Sequence, residues 1–168
     1  MESKKAFVEK YRAAAKKAAH GSRIHPDTII TVAALESGYG KSLLASQHNN
    51  FFGRKPERGY TGPTVTLNTA EYIDGKRVVI PQVFKKYPTP EAGFLDYVRL
   101  LSRAERYAKV RAKTTPQEQF AELQKAGYAT DPRYAAKLSS VYTELAKYFP
   151  TLALIAFSTL AFIFLTSN

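Results

Sequence analysis

Apolar residues recur every three or four positions along most of the chain, the spacing that places them on one face of an α-helix. This periodicity predicts six helices: over Ala6–Ala19, from Pro26 to Gly38, over Lys41–Gln47, and beginning at Thr89, Thr115 and Asp131. Pro26 suits a first helical turn, and Gly38 suits the left-handed residue that ends a helix. Thr115 and Glu118 form a capping box. The helix from Thr89 is expected to bury Phe94, Leu95, Val98 and Leu101.

Between the third and fourth helices, apolar and polar residues alternate, as they do in half-buried β-strands. The predicted strands are Thr64–Leu67, Glu71–Ile73, Lys76–Ile80 and Val83–Tyr87. Asp74-Gly75 predicts a tight hairpin turn, because these residue types accept the positive φ of a type I′ turn. The order of helices, small antiparallel insert and helices indicates an α+β fold, mainly helical, with two lobes. A cleft is expected where the β-hairpin lobe meets the helices.

The end of the chain differs in character from the rest. No charged residue occurs from Tyr148 to Asn168, and segment 149–168 is predicted to form an apolar C-terminal helix after a domain over residues 1–148. The uncharged stretch would span about 30 Å as a helix, which matches the hydrocarbon core of a membrane. We therefore expect a membrane anchor, with a buried or partner-binding helix as the alternative. The N-terminus lacks the apolar core of a secretory signal peptide.

The amino-acid composition excludes several classes of protein and several kinds of functional site. The 168 residues are 45% hydrophobic and 23% charged, which is typical of one globular domain. Cysteine is absent, which excludes disulfides, a thiol nucleophile and thiolate metal sites, and the three histidines are scattered. We expect neither a metal nor a cofactor. The net charge of +11 favours a polyanionic partner: nucleic acid, a membrane surface or the anionic cell wall. No nucleic-acid-binding motif is present, so nucleic acid is not the expected partner.

Glu36 is the first candidate for chemistry. It lies in the last turn of a mostly apolar predicted helix, where the negative end of the helix dipole disfavours a carboxylate. Apolar neighbours and the dipole both raise the pKa of this carboxyl, as a general acid working near neutral pH requires. The alternative is an exposed glutamate that tolerates a poor position.

Five short motifs resemble those of one enzyme family, and they occur in the family's order. They are Ala34–Ser42, Asn49–Lys55, Thr69–Tyr72, Phe84–Tyr87 and Ala126–Pro132. Together they resemble the bacterial cell-wall glucosaminidases, glycoside hydrolase family 73, over roughly residues 5–148. The resemblance implies a lysozyme-like fold and makes Glu36 the general acid. Arg54 departs from the family, which commonly has an aliphatic residue at that place.

Glycoside hydrolysis usually needs a second carboxyl group, and Glu71 in the predicted hairpin is the candidate. The resemblance places the family's proposed second carboxylate there, whereas a salt bridge from Glu71 to Lys76 or Arg77 is the alternative. Aromatic rings and amides suit the apolar faces and hydroxyl rims of sugars. The candidate sugar-binding residues are Asn50, Phe51, Phe52, Tyr72, Tyr87 and Tyr128. The alternative for each of the aromatic residues is packing in the core.

These expectations combine into one function. The chain is expected to be a peptidoglycan hydrolase, an endo-β-N-acetylglucosaminidase that cleaves the β-1,4 bond after N-acetylglucosamine by general acid catalysis and works as a monomer on glycan strands. The alternatives are muramidase-type cleavage of the other glycan bond, a non-catalytic glycan-binding module tethered to the membrane, and a basic nucleic-acid-binding protein. An anchor without a signal peptide would suit a phage lysis enzyme or a membrane-held enzyme that acts on the bacterial cell wall.

Overall fold

Seven α-helices, one 3₁₀ turn and one β-hairpin are present in residues 3–73 and 76–149, the part of the chain that the computed structural model describes. In chain order they are α1 (Lys4–Ala19), α2 (Pro26–Ser37), α3 (Leu43–His48), β1 (Thr64–Ile73), β2 (Lys76–Lys85), α4 (Pro90–Arg103), the 3₁₀ turn (Glu105–Tyr107), α5 (Ala108–Arg111), α6 (Pro116–Lys125) and α7 (Tyr134–Ala146). The predicted α+β class, mainly helical with a small antiparallel hairpin, is confirmed.

Local sequence signals set both ends of α2 and the start of α6 where they were expected. Helix α2 begins at Pro26, and Gly38 ends it in the left-handed conformation with its N–H bonded to the carbonyl of Ala34. Helix α6 follows a complete capping box, in which Thr115 and Glu118 satisfy each other's backbone N–H groups. These helix ends can be predicted without knowledge of the tertiary structure, because each depends on side chains within four residues.

Helix α2 forms the centre of the helical lobe. Every residue from Asp27 to Ala34 is buried, and the helix packs against α1, α6 and α7. The buried hydroxyl of Thr31 donates to the carbonyl of Asp27 at 2.6 Å, so it has a partner within the helix. In the last turn of α2, the side chain of Glu36 is exposed to solvent.

The β-hairpin is longer and simpler than predicted. Strands β1 and β2 pair antiparallel without a break, and Asn68 lies opposite Pro81 in the middle of the ladder. The predicted division of this stretch into four short strands is wrong, because Asn68 and Pro81 lie within continuous strands although both residue types are depleted in strands. A two-stranded sheet has only edge strands, so proline is tolerated within one of them. Phe84 and Lys85 are buried at the root of the hairpin, which therefore joins the helical lobe mainly there.

Two details of the helical lobe differ from the prediction. Leu95 was expected to face inward but is exposed, whereas Tyr97 is fully buried. The buried positions of α4 are spaced by three and four residues, and Leu95 falls just outside that stripe. The 3₁₀ turn and α5 were not predicted, because neither is long enough to show a period.

The C-terminal prediction falls mostly outside the described residues. Helix α7 ends at Ala146, and residues 147–149 follow it before the described part stops. The apolar helix predicted over 149–168 therefore has no counterpart in the described fold. None of the helices within residues 3–73 and 76–149 is long and apolar enough to cross a membrane.

Candidate active site

A tight turn after α2 places Glu36 at the surface. Gly38, Tyr39 and Gly40 all have positive φ values, of 58°, 59° and 79°. Such a run turns the chain sharply, and glycine removes most of the steric cost at two of its three positions. The buried Ser37 holds the turn, because its Oγ donates to the carbonyl of Ala33 and accepts the N–H of Gly40 at 2.8 Å. Glu36 thus ends a rigid helix and faces solvent.

The carboxyl of Glu36 is bound by a tyrosine from the start of α7. The hydroxyl of Tyr134 donates to Oε1 of Glu36 at 2.7 Å, and Tyr134 itself is only 3% exposed. Desolvation by the surrounding protein raises the pKa of Glu36, whereas the hydrogen bond from Tyr134 lowers it, and the net direction is upward. The side chain is nonetheless open to solvent. Glu36 therefore combines the raised pKa that was expected from the sequence with an exposed side chain.

Tyr134 belongs to a cluster of four tyrosines next to Glu36. The ring of Tyr128 lies 5.7 Å from that of Tyr134, 5.9 Å from Tyr97 and 6.3 Å from Tyr107. Burial raises the pKa of the hydroxyls of Tyr128 and Tyr134. Tyr134 therefore stays neutral and keeps its proton for the hydrogen bond to Glu36. Tyr128, in the turn after α6, is half-buried. Among the predicted sugar-binding residues whose side chains the structure describes, Tyr128 is the one that lies beside Glu36 and Tyr134.

Phe51 and Phe52 lie in the core rather than on a sugar-binding surface. They are 1% and 5% exposed. The Phe52 ring stacks on Tyr97 at 4.0 Å, and Phe51 meets Tyr11 edge-on at 4.7 Å. A bound sugar could reach little of either ring, so the predicted sugar contacts of Phe51 and Phe52 are not supported. The reason is the core packing that was the alternative for each aromatic residue.

Asn50 and Tyr87 are also used by the protein itself. Asn50 is 1% exposed, and its amide donates to the carbonyls of Arg54 and Lys85, both at 2.9 Å, while its oxygen accepts the N–H of Arg54. Tyr87 is 9% exposed, and its hydroxyl donates to Asp96 at 2.8 Å. Their burial and satisfied hydrogen bonds do not support the predicted sugar contacts. Asn50 fastens the loop after α3 to the end of β2, and Tyr87 fastens the segment after β2 to α4.

An ionic cluster that the sequence analysis missed fixes the root of the hairpin to α4. The side chain of Lys85 is 1% exposed, and its Nζ lies 3.1 Å from Asp96 and 2.7 Å from Glu57. The Nε of Arg54 donates to Asp96 at 2.8 Å. Burial raises the pKa of Asp96, but the hydrogen bonds from Arg54, Tyr87 and Lys85 outweigh it and lower the pKa below its usual value. Asp96 is therefore a carboxylate that holds two cations in place.

Glu71 and Tyr72 lie in β1, opposite Val78 and Arg77 of β2. Their side chains, and both residues of the turn at 74–75, lie outside the described part of the structure. The roles predicted for Glu71 and Tyr72 therefore stay predictions. Within residues 3–73 and 76–149, no group of three or more histidine, aspartate or glutamate side chains is placed to hold a metal ion.

Comparison with solved structures identifies the fold. The chain is similar to the glycoside hydrolase domain of FlgJ from Salmonella typhimurium, with a TM-score of 0.72 and 33% identity over 86% of this chain and 99% of that one. It is also similar to the catalytic domain of the autolysin Auto from Listeria monocytogenes, with a TM-score of 0.75 and 31% identity over 86% of this chain and 85% of that one. Both confirm the predicted lysozyme-like fold.

Comparison of sequences agrees with the fold. The peptidoglycan hydrolase FlgJ of Salmonella typhimurium is 35% identical over 84% of this chain and 46% of its own length. The exo-glucosaminidase LytG of Bacillus subtilis is 39% identical over 69% of this chain and 42% of its own length. The chain thus spans less than half the length of these curated relatives. Residues 12–147 match the glucosaminidase family, which is described as mannosyl-glycoprotein endo-beta-N-acetylglucosaminidase. The chain therefore belongs to the glucosaminidase family of glycoside hydrolases, family 73.

Proposed function

We propose that the chain is a peptidoglycan hydrolase that cleaves the β-1,4 bond after N-acetylglucosamine within glycan strands. The observation that carries this proposal is Glu36, an exposed carboxyl with a raised pKa at the end of a buried helix, bound by a neutral tyrosine. Membership of the glucosaminidase family and the names of the relatives support the same reaction class. A non-catalytic glycan-binding module would have no use for this arrangement.

Glu36 acts as the general acid. In its protonated form it donates its proton to the glycosidic oxygen while the bond from that oxygen to the anomeric carbon breaks. A water molecule then adds to the anomeric carbon, gives up one proton to an assisting base or to solvent, and leaves a new reducing end. The raised pKa keeps Glu36 protonated closer to neutral pH than an ordinary glutamate, and Tyr134 fixes the position of its carboxyl. Tyr128, half-buried beside this pair, offers a ring edge to the bound sugar.

We assign the second carboxyl group to Glu71 and a substrate contact to Tyr72. Both lie in β1, on the lobe that faces the helical one in a two-lobed glycosidase. A carboxylate there would assist the attacking water or stabilise the positive charge that develops on the sugar ring. The ionic cluster of Lys85 and Asp96 supports this assignment, because it anchors the hairpin that carries Glu71. Water or the acetamido group of the substrate are the alternatives to Glu71.

Analysis of the reducing ends released from purified peptidoglycan tests the proposed reaction. We expect borohydride reduction followed by mass spectrometry to show N-acetylglucosaminitol at the ends of fragments of several lengths. N-acetylmuraminitol would instead establish the muramidase alternative, which is kept because a probable N-acetylmuramidase of Lactococcus lactis is 32% identical over 84% of this chain. Release of terminal monosaccharide alone would make the enzyme an exo-glucosaminidase, and no release at all would refute the proposal.

Replacing Tyr134 with Phe tests the link between the tyrosine and the acid. The substitution removes a hydrogen bond that stabilises ionised Glu36, so the pKa of Glu36 rises further and the alkaline limb of the kcat/KM profile moves to higher pH. We expect activity at neutral pH to fall about tenfold, because the carboxyl loses an orienting contact. A pH–rate profile on labelled peptidoglycan measures both effects. A purely structural role for Tyr134 would lower activity without moving the alkaline limb.

We further propose that segment 149–168 tethers the enzyme, as a monomer, to a membrane. The support comes from the sequence, since this segment carries no charge and follows a helix, α7, whose apolar face is already used by Tyr134, Leu138 and Leu145. A second apolar helix would find no further surface to cover it on a domain of this size.

Deletion of residues 151–168 is expected to move the enzyme from the membrane to the soluble fraction while activity on isolated peptidoglycan is retained. The double substitution Ala156→Lys/Ala161→Lys should have the same effect, because a charge in the hydrocarbon core is costly. Ala156→Leu/Ala161→Leu is the matched control and should stay with the membrane. Fractionation followed by an activity assay measures the outcome. Misfolding of the truncated enzyme, or a parent that is soluble and monomeric without detergent, would contradict the anchor.

A further inference from the structure

A basic groove lies at the opposite end of α2 from Glu36. It has a volume of about 600 Å³ and is formed by the end of α1, the loop before α2 and the loop before α6. Its charged and titratable lining residues are Lys16, His20, Arg23, His25, Arg111 and Lys113. None of the described residues that line it is acidic. Pro26 and Glu36 are ten residues apart in α2, so groove and acid are separated by about 15 Å along the helix.

One buried side chain fixes the backbone on both sides of this groove. Gln119 is fully buried, and its amide nitrogen donates to the carbonyls of Arg23 and Lys113, both at 3.0 Å. Its amide oxygen accepts the N–H of His25 at 3.0 Å. All the hydrogen-bonding groups of the glutamine amide face the loops that carry the cations. The two basic residues Arg23 and Lys113 are therefore held at a set spacing across the groove rather than on loose loops.

The backbone of Arg23 also carries strain. Its φ is 60°, in the left-handed region that residues with a side chain rarely adopt. A glycine at this position would remove the strain, and the neighbouring Gly21 shows that the loop already uses one. An exposed arginine is held in this conformation by the bond from Gln119. A need for the cationic side chain at the groove would explain why this strained backbone conformation is kept at an arginine.

We infer that this groove is a second, non-catalytic site that binds a phosphodiester-linked anionic polymer of the cell wall. Four permanent cations around one groove suit a ligand with several closely spaced negative charges, and arginine forks suit phosphate oxygens. The lining contains no Phe, Tyr or Trp, the large rings on which bases and sugars stack best, and a concave groove suits a thin flexible chain better than a flat bilayer. The choice of a wall polymer rests on the proposed function, because that function places the enzyme on the wall.

The site would hold the enzyme on its substrate without obstructing catalysis. Because groove and Glu36 lie at opposite ends of α2, a polymer bound in the groove leaves the carboxyl open to the glycan. Arg111 is positioned for this role by two carbonyls, those of Leu101 and Ala104, which accept from its guanidinium at 2.8 and 3.0 Å. Three carboxylates among the described residues lie close to lining residues without lining the groove themselves. Glu105 is 4.0 Å from Arg111 and 94% exposed, and Asp27 is 3.9 Å from His25 but bound by Arg12 at 2.9 Å. Glu118, near Lys113, is engaged by the capping box of α6.

The first test measures binding of the full-length enzyme to fluorescently labelled linear inorganic polyphosphate. We expect the triple variant Lys16→Ala/Arg23→Ala/Lys113→Ala to bind at least about tenfold more weakly than the parent, with a smaller dependence on salt. The matched control Arg58→Ala/Arg103→Ala/Lys109→Ala removes the same charge from exposed residues outside the groove and should bind within about twofold of the parent. Equal losses of affinity in both variants would show that binding depends on net charge alone, and the groove would then not be a binding site.

The second test identifies the source of the phosphate. On walls that retain their phosphodiester polymer, the groove variant should be washed off by salt more easily than the parent. On walls stripped of that polymer with hydrofluoric acid, the two proteins should be retained alike. A difference that persists on stripped walls would assign the groove to carboxylates of peptidoglycan. A loss of capture by anionic vesicles or duplex DNA as large as that for the unstripped wall would assign it to those partners. Either result overturns the inference.

Activity on stripped walls separates this inference from the proposed function. The groove variant should cleave stripped walls at the parent's rate, because none of its substitutions touches the site of Glu36. If neither protein cleaves stripped walls, the proposed function is wrong. The binding tests still decide whether the groove binds a phosphodiester polymer. If both cleave and the groove variant binds polyphosphate as the parent does, the groove inference fails alone.

Discussion

Replacing Glu36 with Gln is expected to lower peptidoglycan cleavage by about 100-fold or more, because the amide cannot donate the proton that the leaving oxygen needs. Gln has the same size as Glu and can still accept the hydrogen bond from Tyr134, so the turn and the tyrosine cluster should be preserved. Initial rates of dye release from labelled peptidoglycan measure the loss. Circular dichroism and thermal unfolding should match the parent, since Glu36 is exposed and Gln keeps an acceptor for the hydroxyl of Tyr134.

Glu71→Gln is the matched variant on the other lobe. We expect a smaller loss than for Glu36→Gln, because water or the acetamido group of the substrate can take over part of the role of Glu71. Equal and complete losses would give the two carboxyls equal weight in the reaction. Activity of Glu36→Gln within about tenfold of the parent would contradict the assignment of the general acid.

The sequence was sufficient for features that depend on neighbours in the chain. Pro26, Gly38 and the capping box of Thr115 and Glu118 each act within a few residues, and each marks a helix end in the structure. Glu36 could be found for the same reason, because its helix, its apolar neighbours and the glycine turn are all local. The hairpin was recognised, but its strand lengths were wrong, since Asn68 and Pro81 are tolerated only because the sheet has two strands.

Features that depend on distant residues could not be read in this way. Tyr134 is 98 residues from Glu36, and Gln119 is 96 residues from Arg23. The pairing of Lys85 with Asp96 could not be predicted, because nothing in the spacing of residues along either element shows that the two side chains face each other. Asn50 and Tyr87 lie in motifs shared with the family and were predicted to bind sugar, but in the structure their hydrogen bonds support the root of the hairpin. A pattern shared with a family marks importance without saying whether a residue binds substrate or holds the fold.

Replacing Asp96 with Ala is expected to destabilise the enzyme by about 3 kcal/mol, because it removes the carboxylate that neutralises a buried cation. Lys85 is 1% exposed and would keep one carboxylate, that of Glu57, whose side chain is 60% exposed, beside its contact with the Tyr60 ring. Arg54 and Tyr87 would each lose a hydrogen bond at the same time. For a domain of this length the loss corresponds to a fall in Tm of about 6–12 °C. Cleavage should fall as well, because the hairpin that carries Glu71 would no longer be fixed to α4.

Glu57→Gln is the control for Asp96→Ala, because it removes the other carboxylate of Lys85. Glu57 lies at the surface, so its loss should cost less than about 1 kcal/mol.

The pH dependence distinguishes the ionic role of Asp96 from simple loss of packing. The folded state lowers the pKa of Asp96, so its contribution is complete above the unfolded pKa of about 3.9 and disappears as the pH falls through the lowered value. The stability difference between parent and Asp96→Ala, measured by urea unfolding, should therefore be constant from pH 5 to 7 and shrink in more acidic solution. A difference that persists unchanged into strong acid would show that the carboxylate charge does not hold the hairpin root.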